Sequence, residues 1–108
     1  MPKQEDLTDD QFRFCAGVLL GIVQDERAIA NRREPATPKN NTERINEFID
    51  SNGLDGWDRR SVGGLMNKMR AAFAVEGTVG CFPDGKEKRG PSRFPESIAV
   101  RMRRLGIL

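Results

Sequence analysis

Arg60, Gly64, Asn67 and Ala71 recur at helical spacing, with Lys68 and Arg70 beside them. At 100° per residue the four share one side of a helix, and the two further cations lie on its flanks. That face is basic, carries one amide and is otherwise made of very small residues. Arg and Asn are the side chains that read guanine and adenine edges, and small residues let a helix backbone approach a surface closely. The chemistry suggested is therefore contact with nucleic acid. An ordinary hydrated helix face, whose glycines pack against a neighbour, is the alternative.

The net charge of +2 hides an asymmetry that bears on this choice. Residues 1–58 carry 7 basic and 12 acidic side chains, a balance of −5, whereas residues 59–108 carry 11 basic and 4 acidic, a balance of +7. The field of a cationic half can steer a domain to a polyanion even when its overall charge is small. Mutual neutralisation of the two halves across the fold is the competing reading.

Other chemistry finds little support. The chain has no histidine, so Ser61 lacks the usual partner of a hydrolytic triad, and the commonest metal ligand is missing. Cys15 and Cys81 stand alone and read as buried small hydrophobes rather than a zinc site. Asp9 with Asp10, and Asp55 with Asp58, suit helix capping better than magnesium. Gly85-Lys86 lacks the rest of a phosphate-loop pattern. The expectation is a protein that is not an enzyme and holds no metal or cofactor. Val18 to Val23, broken by Gly21, is too short to span a bilayer. The opening MPKQEDLTDD does not resemble a secretory signal. A soluble, cytoplasmic protein is expected, nucleoid-associated if it binds DNA, with no membrane partner.

The elements that must position these residues follow from capping and periodicity. At 108 residues the chain reads as one mainly α domain. Residues 1–6 read as a flexible leader. Thr8 and Gln11 have capping-box spacing and open a helix over residues 8–31, with Leu7 and Phe12 placed as a hydrophobic staple. Its inward stripe is Phe12, Cys15, Leu19, Ile22 and Val23, widened by Phe14 and Val18. Gly17 and Gly21 predict a close helix crossing within the domain or, alternatively, a homodimer seam. Pro35 and Pro38 mark a connector. Residues 40–74 then read as helix, turn, helix. Asn40 caps the first piece, Gly53 stops it in a left-handed conformation, and Asp55 or Asp58 caps the second. Ile45, Phe48 and Ile49 face inward from one piece, and Val62, Leu65, Met66, Met69 and Phe73 from the other. Trp57 reads as a plug at the edge of the core, with a Myb-like three-helix module as the alternative. Residues 78–93 read as a short β-hairpin turning at Pro83-Asp84-Gly85. Pro95 opens a last helix over residues 95–105, with Ile98, Met102 and Leu105 inside.

This order of helix-turn-helix, basic hairpin and last helix resembles a winged helix-turn-helix domain from Asn40 to Phe94, in topology and placement of charge. The resemblance implies that the second helix enters a DNA major groove while the wing touches neighbouring phosphates. Arg59, Arg60, Asn67 and Arg70, with Lys68 on the flank, would then face bases or phosphates. Lys86, Lys88, Arg89 and Arg93 would hold the backbone. A DNA-binding transcriptional regulator is the function implied, with structured RNA as another polyanion the same charges suit. The alternative is a small adaptor or inhibitor, of the kind phages and mobile elements encode, that binds an acidic or host protein.

Overall fold

Thr8 opens the first helix, α1 (Asp9–Ala30), through the reciprocal cap its sequence predicts. The Gln11 amide donates to Thr8 Oγ1 at 3.1 Å, and the Thr8 amide donates to Gln11 Oε1 at 2.9 Å. Donors that no helical carbonyl can reach are satisfied in this way. Leu7 and Phe12 on either side of the cap are both buried. So are Cys15, Leu19, Ile22 and Val23, which complete the core-facing stripe. Phe14 does not widen that stripe. It is 53% exposed and stacks on the buried Phe48 ring, with centroids 5.7 Å apart. No helix crosses at Gly17 either. A Cβ there would meet nothing within 4 Å, whereas one at Gly21 would meet the Arg44 guanidinium at 3.6 Å.

The computed structural model describes residues 3–34, 40–76 and 96–108. Within them lie a 3₁₀ turn (Gln4–Asp6), α1, α2 (Asn41–Asn52), α3 (Arg59–Glu76) and α4 (Glu96–Arg104). The leader expected over residues 1–6 is thus ordered in part as a turn.

Local chemistry sets the join between α2 and α3. Asn40 Oδ1 accepts from the Glu43 amide at 2.9 Å to start α2. Gly53, at φ 57°, ends it. The Leu54 amide reaches back to the Ile49 carbonyl at 3.2 Å, and Leu54 itself is buried. This paired return of amides is a Schellman stop. Asp58 then caps α3, accepting from both the amide and the hydroxyl of Ser61 at 2.8 Å. Those bonds hold the Asp58 carboxyl below its ordinary value. Ile45 and Phe48 of α2 meet Val62, Leu65, Met66, Met69, Ala72 and Phe73 of α3 in one core with the α1 stripe.

The end of α1 uses the same stop with the wrong residue. Arg32 takes φ 58°, while the Arg33 amide donates to the Ala28 carbonyl at 2.7 Å. A side chain in the left-handed region is strained by roughly 1–2 kcal/mol. Arg32→Gly is therefore expected to stabilise the fold by about 0.5–1 kcal/mol after the unfolded chain's extra freedom is subtracted. Thermal unfolding would read this, and an unchanged midpoint would show that the Arg32 side chain contributes as much as its backbone loses.

Arginines tie the other helices to α1. Arg44 of α2 pairs with Asp25, with side chains 10% and 12% exposed. Arg70 of α3 makes a two-pronged contact with Glu26, at 3.1 and 3.2 Å. Arg101 of α4 reaches Asp9 at 3.0 Å and lies over the Phe12 ring, 4.6 Å from its centroid. It also donates to the Gln4 and Leu7 carbonyls, each at 2.5 Å, so the 3₁₀ turn is held by the last helix. Arg104 joins the same carboxylate at 3.1 Å. Acidic residues of the first half thus neutralise Arg70, Arg101 and Arg104 of the second, and the charge asymmetry is partly internal.

Hydrogen bonds from Arg104 and then Arg101 hold the Asp9 carboxyl down at about 2, against an ordinary 3.8. The native state therefore favours the ionised carboxylate. The resulting stability is fully present above the unfolded value of 3.8 and fades as pH falls towards 2. Asp9→Asn should flatten the acid limb of a plot of thermal midpoint against pH in that window. An unchanged limb would place the acid sensitivity elsewhere.

The winged helix-turn-helix resemblance is corrected by this architecture. Every regular element among the described residues is helical, and none is a strand. The apolar side of α3 is closed by a fourth helix, α4, through buried Ile98, Ala99 and Met102. A helix that already shares its core with three others does not need a sheet to complete it. The hairpin expected over residues 78–93, with Lys86, Lys88, Arg89 and Arg93, lies outside the described residues, as do Cys81 and Pro95. What stands is a mainly α fold.

Candidate ligand surface on the third helix

The core stripe of α3 turns its opposite side outward. Arg59, Arg60, Gly64, Asn67 and Lys68 are all exposed. Arg59, Arg60 and Lys68 form no ion pair among the described residues, unlike the arginines that tie the helices together. Arg60 and Lys68 stand eight residues apart, which is about 12 Å along the axis. Gly64 lies between them in open space.

Two residues of the expected face do not belong to it. Arg70 is drawn inward by Glu26, its side chain 20% exposed and its Nε buried without a partner among the described residues. Its charge and its hydrogen-bonding fork are committed to holding α3 on α1. Ala71 is half-buried. Arg59 turns towards a shallow hollow with Asn46 and Asp58, beside Arg60, at the mouth of the α2–α3 join.

A groove of about 650 Å³ runs beside this face, between the 3₁₀ turn, α3 and the start of α4. Trp57 supplies partly exposed apolar surface over the buried Leu65 and Ile98, and Lys3, Arg60 and Lys68 supply positive charge, with Glu5 as the one acidic residue among the described lining. The sequence alone does not place Lys3, Ser97 or Ile98 here. They join α3 because Arg101 pins the 3₁₀ turn across the fold, through contacts that no local spacing reveals. Trp57, half-buried, lines the groove as well as the edge of the core.

Other candidate chemistry is accounted for within the fold. Burial pushes the Cys15 thiol up to about 12, so it stays protonated inside the core. No three His, Cys, Asp or Glu side chains among the described residues come close enough to hold a metal ion. Ser61 is engaged by Asp58. No helix among the described residues is long and apolar enough to cross a membrane. The chain matches no family model, no curated protein and no solved structure, so its functional reading rests on the charge and shape of this surface.

Proposed function

We propose that the protein binds nucleic acid, either DNA or structured RNA, through the exposed side of α3. The observation that carries this reading is the contrast among its cations. Arg44, Arg70 and Arg101 are engaged by carboxylates within the fold, while Arg60 and Lys68 project from the exposed side of α3, with Arg59 at its shoulder, and form no ion pair among the described residues. A cluster of this kind, with an amide at Asn67 and a gap at Gly64, can neutralise phosphates and release their counterions.

The test is a gel-shift series at two salt concentrations. Binding should weaken steeply as salt rises, and Arg60→Ala with Lys68→Ala should lower the slope of log affinity on log salt by about 2. Asn67→Ala should instead relax any preference among sequences while leaving that slope in place. Retention of full affinity in the double variant would remove the reading.

A second reading is favoured by the apolar part of the groove. Trp57 beside three cations also suits an acidic segment of another protein, which would make this an adaptor. Absence of any gel shift at low salt, with capture of an acidic peptide, would favour it.

A further inference from the structure

We infer that the groove between the 3₁₀ turn, α3 and α4 takes an unpaired stretch of nucleic acid, with a base lodged at Gly64 and Trp57 and its phosphates held by Arg60, Lys68 and Lys3. This rests on the nucleic-acid reading above and specifies the form of the ligand.

Width is the first argument. A B-form major groove is about 12 Å across and accepts a single helix, itself about 10–12 Å in diameter with its side chains. Here the basic face of α3 does not stand alone. Lys3, Gln4 and Glu5 line one wall of its groove, and Ser97 and Ile98 line another. A duplex would have to accommodate those two walls along with α3, whereas a single strand can be laid between them.

The lining is the second argument. Single strands are held by cations along the backbone and by aromatic or apolar surface under the bases. Arg60 and Lys68 are two helical turns apart, and Gly64 midway between them leaves bare backbone where a flat ring can rest. Trp57 lies seven residues before Gly64 and lines the same groove, so an aromatic surface stands on the same side of α3. Partial packing of Trp57 against the core fixes it in place before a ligand arrives. Three cations against one carboxylate, Glu5, among the described lining complement a polyphosphate.

The sequence contains one tryptophan and no tyrosine, so intrinsic fluorescence reports on Trp57 alone. The experiment titrates the full chain at low salt with three probes: a short oligothymidine in deoxy or ribo form, a DNA duplex of equal length, and an oligoglutamate peptide. The expected result is quenching of Trp57 by the single strand and affinity for it about tenfold or more above that for the duplex, the scale of one stacked base. The deoxy and ribo arms separate a DNA strand from an RNA loop as the source. Gly64→Gln fills the gap with no change of charge and places a better helix former on an open site. It should weaken single-strand binding roughly tenfold while the thermal midpoint holds or rises.

Equal affinity for duplex and single strand, or unchanged binding in Gly64→Gln, would overturn the inference and leave the broader reading intact. Failure of every oligonucleotide to bind would overturn both. Quenching by oligoglutamate alone would assign the groove to a protein partner.

Discussion

Arg101→Met should lower folding stability by about 2–4 kcal/mol, read by denaturant unfolding. The side chain is only 12% exposed, and its guanidinium meets two carbonyls, the Gln4 side chain and Asp9 while covering the Phe12 ring. Methionine restores most of the volume, so the loss isolates the polar contacts rather than a cavity. The Leu7 carbonyl would lose its Arg101 donor, while the Gln4 carbonyl would keep only the Leu7 amide at 3.2 Å, and unmet polar groups carry most of the penalty. Arg101→Lys keeps the charge but cannot reproduce a fork that bonds in several directions, so it should recover less than half of the loss. A change below about 0.5 kcal/mol, the scale of an ordinary surface substitution, would show that solvent replaces Arg101 freely.

The Asp25–Arg44 pair should behave differently when broken and when replaced. Asp25→Ala leaves the Arg44 guanidinium enclosed between α1 and α2, at a cost of about 3–5 kcal/mol. Replacing both residues, as Asp25→Leu with Arg44→Met, should recover most of that loss or exceed the parent. Apolar side chains of similar size avoid the desolvation that two enclosed charges incur. A double variant as unstable as the single would mean that the pair holds α2 in register rather than merely balancing its own burial. Gly21 lies beside the pair, where an added Cβ would stand 3.6 Å from the Arg44 guanidinium.

Features closed within a few residues were legible in the sequence. Thr8 with Gln11, Asn40 with Glu43, Asp58 with Ser61 and the Gly53 stop all form within one helical turn, so residue type and spacing determine them. The inward stripes follow for the same reason, since periodicity fixes which side of a helix is apolar. Breadth of a stripe is another matter. It depends on the neighbour that covers it, and Phe14 lies where α2 offers only a partial cover through Phe48.

The fate of each cation was the least legible part. Arg60 and Arg70 both fall on the polar side of a helical wheel, the second at its flank, yet Arg70 is claimed by a carboxylate 44 residues earlier. Nothing local announces such a partner. The inward side of α4, with Ile98 and Met102, follows from spacing, but its seat against α3 does not, because the sequence between α3 and α4 suggests a hairpin of its own. The helix-turn-helix pair was therefore readable, and the company it keeps was not.

Arg101 joins positions 97 residues apart, by way of Gln4. A clasp between such distant parts of a chain assembles late, since closing a long loop forfeits more freedom than forming a turn. Its opening would free the 3₁₀ turn first, because α4 is also seated on the shared core through Ile98 and Met102. Unlatched in this manner, the molecule would loosen the amino-terminal bank of its channel while the opposite bank stays rooted in the core.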